Sequence, residues 1–355
     1  MTSAPAAPGR IGAASLATLA RALAPAQAYL PAAAFFGGFL WDAATIGRRI
    51  TPLDLWFLCG YYVLAGTLLV LVGRGARFRF SGHLNLGLQF FFGGLLSALS
   101  IFYFTSAAHW PAYLFVIGLV CLLVANEYLE KRYRDLTLSW TLFALCGAML
   151  FNFVLPHLFR SVSRWWFYPS TLLGLAAVFV VRRLSARGGS VRPAVTAAGV
   201  LVLLHLLNWI PPVPLVNKDM VICRDVIKDG AVVRGEVERG WNPWKRSEGR
   251  VHQRPGEKIY CVTSVFLPAG LECRTYHQWS HREGGRWVDS TRVPVVIRGG
   301  RTEGFRAWSY KQNLAPGRWR VTAETEGGAV IGRASFRVEH VPAETPLRFR
   351  TVHVK

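Results

Sequence analysis

Val200–Leu215 reads VLVLLHLLNWIPPVPL, and it divides the chain into two parts of different chemistry. An apolar, helix-compatible run ends there in Pro211-Pro212-Val213-Pro214. Proline donates no backbone hydrogen bond and disfavours helical backbone in the residue before it, so this cluster stops the run and gives a short, stiff exit. Upstream lie long apolar runs separated by short charged loops. Downstream, from Met220, the periodicity drops to about two. The expected architecture is an α-helical polytopic membrane domain of about seven spans, followed by an all-β, immunoglobulin-like sandwich domain.

Hydrophobic residues make up 52% of the chain, above the share of an average soluble domain. A spanning helix needs roughly 20 mostly apolar residues. Seven runs approach that length: Ala26–Ile46, Leu53–Val72, Leu84–Ser106, Trp110–Tyr128, Leu136–His157, Trp165–Val181 and Pro193–Ile210. The first is interrupted by Pro31. The expected division is an N-terminal segment over 1–25, a transmembrane domain over 26–211 and a soluble domain over 212–355. No cleavable signal is expected before the first run.

The formal net charge of +21 divides almost evenly, with sixteen Lys and Arg against five acids through Pro214 and twenty-five against fifteen beyond it. In the first part the positive charges sit in loops. Twelve fall on one side, in 10–21, 74–79, 131–134 and 182–192. Four fall on the other: Arg48, Arg49, Arg160 and Arg164. Loops rich in Lys and Arg stay cytoplasmic. The expectation is a cytoplasmic N-terminus and an extracytoplasmic C-terminal domain, and an external domain does not meet nucleic acid. Trp110, Trp165, Trp166 and Trp209 sit at run ends, where interfacial aromatics belong. Gly37-Gly38 and Gly93-Gly94 allow close helix approach.

Polar residues inside spans are functional candidates by default. Asp42, Glu127, Asn152, His157, His205 and Asn208 form this set. Asn126-Glu127 runs into a charged loop and reads as a solvated helix end. Asn152 with His157, and His205 with Asn208, are about one helical turn apart and are expected to share a face. They carry the alternative function, a membrane transporter or membrane-embedded enzyme with a site among the helices.

In the soluble half, alternation marks eight strands: Val221–Val226, Ala231–Glu238, Glu257–Leu267, Leu271–Ser280, Arg286–Arg298, Phe305–Lys311, Gly317–Thr325 and Val330–Val338. Gly-rich turns separate them. Trp319, Val321 and Ala323 oppose Arg318, Arg320 and Thr322. Ala334, Phe336 and Val338 oppose Arg333, Ser335 and Arg337. Seven or eight short antiparallel strands fit an immunoglobulin-like sandwich.

The segments Pro255–Tyr260, His277-Gln278-Trp279, Gly299–Arg306 and Pro316–Val321 resemble the bacterial family known as domain of unknown function 2914. Gly37–Asp42 and Ile210–Leu215 resemble its polytopic members. The resemblance implies an integral inner-membrane protein with a C-terminal β domain, and it brings no activity.

Chemical constellations are sparse. His277 and His281 have H-x-x-x-H spacing, but on a strand His277 reads as a hydrogen-bonded core residue. Ser280, His281 and Asp289 contain triad residue types without a nucleophile turn. No catalytic residue, metal ligand set or cofactor is assigned. Cys223, Cys261 and Cys273 permit at most one disulfide. Gly299–Gly304 with Arg301 and Arg306 offers backbone N–H groups and guanidinium forks to an anion; its other reading is a plain hairpin connection. Trp241, Trp244, Lys245 and Arg246 lie in a stretch without strand alternation and suit contact with a glycan or lipid headgroup. The leading expectation is an envelope-facing binding module, with the lipid bilayer and an envelope glycan or anionic lipid as partners.

Overall fold

The computed structural model describes residues 50–75, 83–128, 136–185, 188–230, 232–238, 249–301 and 303–354. Ala26–Ile46, Asp42 and Gly37-Gly38 fall outside these residues, as do Trp241, Trp244, Lys245 and Arg246. Residues Ile46–Lys355 form one compact unit in which helices and strands pack together.

Among the described residues six helices precede the strands: α1 Pro52–Gly73, α2 His83–Ser106, α3 Trp110–Tyr128, α4 Leu136–Phe159, α5 Phe167–Leu184 and α6 Arg192–Leu206. A single 3-10 turn, Arg164–Trp166, leads into α5. Asp54 is acidic at the start of an apolar run because it completes a capping box. Its backbone N–H donates to Thr51 Oγ1, and its carboxylate accepts from the Thr51 N–H at 2.9 Å. Helix α4 is the hub, touching α1, α2, α5 and α6. It is buried along most of its length, whereas α1, α5 and α6 expose Trp56, Phe57, Leu172, Val180 and Leu203 on their outer faces. Apolar side chains pointing outward suit a surface covered by lipid tails.

The seven expected spans are not supported: among the described residues, which leave out the first run, four helices are long and apolar enough to cross a membrane: Pro52–Gly73, Leu84–Ser106, Leu136–Phe159 and Arg164–Leu184. Helices over Trp110–Asn126 and Arg192–Leu206 are apolar but shorter. At 1.5 Å rise per residue the 15-residue α6 is about 22 Å long, against a hydrocarbon core of about 30 Å. The sequence count had included Leu207–Ile210, which is apolar but not helical.

Small residues set the close crossings. A Cβ on Gly174 of α5 would meet the Ala148 nitrogen at 2.6 Å and the Ala144 carbonyl oxygen at 2.8 Å, so the two backbones are in direct contact. Gly94 plays the same part beneath the Tyr61 ring at 2.8 Å. Asn126 is not a solvated helix end. It is fully buried and donates from Nδ2 to the Gln89 carbonyl, tying α3 to α2.

Eleven strands follow: β1 Val216–Cys223, β2 Asp225–Asp229, β3 Val232–Glu238, β4 Arg250–Gln253, β5 Lys258–Phe266, β6 Glu272–Glu283, β7 Arg286–Arg298, β8 Phe305–Gln312, β9 Gly317–Thr325, β10 Val330–His340 and β11 Phe349–His353. They build three sheets in the orders β4-β10-β9-β6-β7, β1-β5-β8 and β11-β3-β2. The β-sandwich expectation holds, with a third sheet added. Between the first two sheets lie Ile222, Cys261, Trp279, Trp319, Val321 and Phe336. On the other face of the middle sheet, Val221, Cys223 and Val262 pack on Val233, Val237 and Val354 of the third. Strand β5 is therefore covered on both faces, which explains its unbroken buried run over Cys261–Phe266. The expected first strand, Val221–Val226, divides into β1 and β2, and the short strands β4 and β11 were not expected at all.

Candidate functional site

The helix ends gather on two faces. On one, Arg74 Nε donates to the Leu184 carbonyl at 2.8 Å and the Ser190 N–H donates to Thr137 Oγ1 at 3.0 Å. Arg74, Arg182, Arg183 and Arg192 stand at these helix ends. On the other, His109 Nε2 lies 2.7 Å from the Asn208 carbonyl oxygen, beside the β domain. Burial holds the His109 ring below its ordinary pKa; the bond to Asn208 opposes this and nearby Arg333 reinforces it.

The β domain is fastened to this second face by the α4–α5 connection. Ser161 forms an isolated parallel bridge with Glu272 at the start of β6. Arg164 Nη1 donates to the Gly327 carbonyl in the β9–β10 turn at 2.8 Å. Val162 packs into the core formed by Leu215, Val265, Leu271 and Ile331.

Between helix ends and strands lies a cavity of about 610 Å³. Its walls include Asn152 of α4, Arg164 and Trp165 of the 3-10 turn, His205 of α6, Cys273 and Arg274 of β6, and Glu326 of the β9–β10 turn. Asn152 is buried and donates from Nδ2 to the Tyr103 hydroxyl at 3.1 Å; that hydroxyl donates to the Met149 carbonyl. The His205 ring is stacked on Phe167, with centroids 4.2 Å apart, and Tyr168 meets it edge-on. Its contact with the Arg164 main chain leaves Nε2 buried and without a hydrogen-bond partner.

The structure thus brings Asn152, His205 and Asn208 to one cavity and leaves His157 outside it. Asn208 borders it without sharing a helix face with His205. It stands past the end of α6 at φ 57°, its N–H bonded to the His205 carbonyl and the next N–H, of Trp209, bonded to Leu204. That is a Schellman helix stop, which asks for Gly or Asn at this position. His157 is half-buried near the end of α4 and does not line the cavity. Glu127 belongs to α3, and its side chain lies outside the described residues.

The three glycines of the loop do not present free N–H groups. Gly299 N–H donates to the Leu271 carbonyl, Gly300 N–H to Leu267 and Gly304 N–H to Arg301. A Cβ on Gly299 would strike the Pro268 carbonyl oxygen, so glycine is required by close backbone packing. Arg306 Nε donates to the Val354 carbonyl, and Arg301 stacks over Phe305 at 5.3 Å. The expected hairpin is not formed: β7 is the edge of the five-stranded sheet and β8 the edge of the middle sheet, so the segment is a crossover between two sheets.

His277 is a core residue, 1% exposed. Trp279 Nε1 can only donate, so Ser309 Oγ accepts from it and turns its own proton to His277 Nδ1, each at 2.9 to 3.0 Å. His277 Nε2–H then donates to Thr263, whose hydroxyl reaches the Ala307 carbonyl. Burial pushes the ring pKa down to about 4. Ser280 donates directly to Asp289 at 2.8 Å, and His281 reaches Glu283 instead, so these three form no triad. All six cysteines are free thiols.

One feature escaped the sequence reading although its alternation was visible. Cross-strand partners share a face, and on the outer face of the five-stranded sheet Arg250 pairs with Arg337, and Arg337 with Arg318. The next rungs add Arg320 and Arg333 on the same face. Arg292 lies over the Tyr276 ring at 3.8 Å, and Arg320 over Trp287 at 4.4 Å. Arg292 pairs with Glu324 and Arg337 approaches Glu339. Arg318 and Arg333 have no acidic partner among the described residues, and Arg320 is favoured only by the charge of nearby Asp289. Like charges directly opposite one another across strands weaken a sheet.

Residues 273–338, spanning β6 to β10, match the family described as "Protein of unknown function (DUF2914)", in agreement with the resemblance of the sequence motifs. No curated protein matches the chain significantly. Among solved structures, an immunoglobulin-like protein from Pseudomonas aeruginosa is 14% identical, covering 32% of this chain and 97% of its own, with a TM-score of 0.21. A β-glucosidase from Listeria innocua is 12% identical, with a TM-score of 0.18, and the match spans 26% of this chain and 15% of the enzyme. An alkylpurine DNA glycosylase from Pseudomonas fluorescens, solved bound to DNA, is 10% identical over 82% of each chain, with a TM-score of 0.22.

Proposed function

We propose that this is a multi-pass inner-membrane protein whose β domain lies on the extracytoplasmic side and binds an acidic envelope polymer, an anionic glycan, on the outer face of the five-stranded sheet. The observation that carries the reading is the arginine row Arg250-Arg337-Arg318 with Arg320 and Arg333 beside it. Cross-strand like charges cost stability, and a polyanion laid across the rungs would relieve that repulsion. Aromatic rings lie beneath the Arg292 and Arg320 guanidinium groups, at 3.8 and 4.4 Å; Arg292 is taken by Glu324, and Arg320 is the ring-supported fork that can meet a carboxylate of the polymer. Arg74, Arg182, Arg183 and Arg192 stand at the helix ends away from the β domain, which favours an external placement.

The test uses the full chain in neutral phosphatidylcholine nanodiscs. Polygalacturonate serves as the acidic glycan and dextran as the neutral control. Wild type binds the former only, with affinity falling as salt rises, and Arg318→Glu with Arg333→Glu weakens it about tenfold or more. Equal binding by the charge-reversed protein sinks the proposal. Tighter capture of single-stranded DNA than of polygalacturonate would point to nucleic acid instead. Reporter fusions after Lys355 read the compartment independently. A site among the helices remains the second reading, supported by the cavity that Asn152 and His205 share.

A further inference from the structure

We infer that the junction cavity is a binding site for a phosphoethanolamine group, whether borne by a membrane lipid or free in solution. The site is separate from the arginine face, and its occupancy stands or falls independently of it.

The cavity holds both signs of charge. Arg164 and Arg274 supply guanidinium groups, and Glu326 supplies a carboxylate beside Cys273; a second lining carboxylate, Glu272, is paired with Arg298 at 3.7 Å. Arg164 uses one nitrogen on the Gly327 carbonyl, and no acid pairs with it among the described residues. Arg274 and Glu326 likewise form no ion pair there. A purely anionic guest would meet the Glu326 charge, and a purely cationic one would meet two arginines. A zwitterion answers both. Its phosphate can take the guanidinium donors and its ammonium the carboxylate.

The lone polar atom of His205 narrows the choice. Nε2 is buried with no hydrogen-bond partner, and in the tautomer protonated on the other ring nitrogen it is an acceptor with nothing to accept from. An unmet buried polar atom is costly unless a ligand or water meets it. An ammonium or hydroxyl proton next to the phosphate fits, whereas the methylated head of phosphocholine cannot donate. The ring cannot swing away, because Phe167 and Tyr168 clamp it.

The surroundings suit a guest that belongs partly to the membrane. Trp165 lines the cavity and is 70% exposed, and Leu158 and Phe159 are also exposed nearby at the end of α4. An aromatic and aliphatic rim at the level of helix ends is where lipid headgroups sit. The volume of about 610 Å³ lies within the range of small-molecule sites and leaves room for a headgroup with its glycerol.

The experiment uses the full chain purified in detergent, with binding of short-chain phosphatidylethanolamine, phosphatidylglycerol and phosphatidylcholine followed by native mass spectrometry. Phosphatidylethanolamine should bind about tenfold more tightly than phosphatidylcholine. Glu326→Gln should remove most of that preference and leave phosphatidylglycerol binding unchanged. His205→Phe, which keeps the stack, should weaken phosphatidylethanolamine about tenfold with an unaltered melting temperature. Arg164→Gln also loses the Gly327 bond, so it is the less clean variant. Free phosphoethanolamine that displaces the lipid at similar concentration marks a soluble ligand; failure to compete while the lipid binds selectively marks a membrane lipid. Equal binding of all three lipids, or a preference that survives both Glu326→Gln and His205→Phe, overturns the inference.

Discussion

Acidification should destabilise the β domain through His277. The ring is enclosed between two sheets, with both nitrogens satisfied by hydroxyl groups only in its neutral form. Its pKa falls from 6.5 to about 4 on folding. Between those values the unfolded chain carries the extra proton and the folded chain does not. Stability therefore rises with pH across that window, is fully present above about pH 6.5, and is lost progressively down to about pH 4. At about 1.4 kcal/mol for each pH unit, the interval amounts to roughly 3 kcal/mol, a large share of the stability of an ordinary domain. The assay is urea unfolding of the full chain in detergent, followed by tryptophan fluorescence at several pH values. His277→Gln serves as the non-titrating reference. Other groups titrate in both proteins, so the quantity of interest is the difference between the two slopes. A wild-type slope between pH 4 and 6.5 no steeper than that of His277→Gln would refute the account.

Further expectations follow from individual contacts. Gly174→Ala should force α4 and α5 apart, since the new methyl meets the Ala148 nitrogen and Ala144 oxygen, and should lower the melting temperature by an amount equivalent to about 1 to 3 kcal/mol. Asn208→Gly should leave abundance and stability unchanged, while Asn208→Val should cost about 1 kcal/mol or more, read by thermal unfolding, because the position is a left-handed helix stop. Arg318→Glu should raise thermal stability slightly, by a few tenths of a kcal/mol up to about 1, by converting a repulsive cross-strand pair with Arg337 into an attractive one, even as it weakens polyanion binding. A gain in stability accompanied by a loss of binding is the signature expected of residues kept for a ligand.

Much of the fold was legible because local rules governed it. Alternation in Trp319–Ala323 and Ala334–Val338 placed those side chains in the core, and the five-stranded sheet bears them out. His277 fell in phase with that core and proved to belong to it. The third sheet was not legible. Strand β5 carries apolar residues on both faces, and periodicity cannot distinguish a doubly covered strand from other buried runs. Strand β11 is five residues long and pairs with β3 more than a hundred positions earlier. The span count failed at α6, because hydropathy does not see where a helix stops.

Of the candidate residues, Asn152, His205 and Asn208 border one cavity, with Asn208 also serving as a helix stop, and Arg301 and Arg306 stand on a crossover between two sheets. The sequence by itself determined what depends on neighbours along the chain: the apolar runs, the proline break, the strand periods and the charge of each loop. Tertiary structure alone decided which arginines stand on adjacent rungs and which helix ends face the β domain. Those choices depend on strand register and on helix packing between residues far apart in sequence. The arginine row and the junction cavity are therefore properties of the folded molecule, built from residues that are individually unremarkable in the chain.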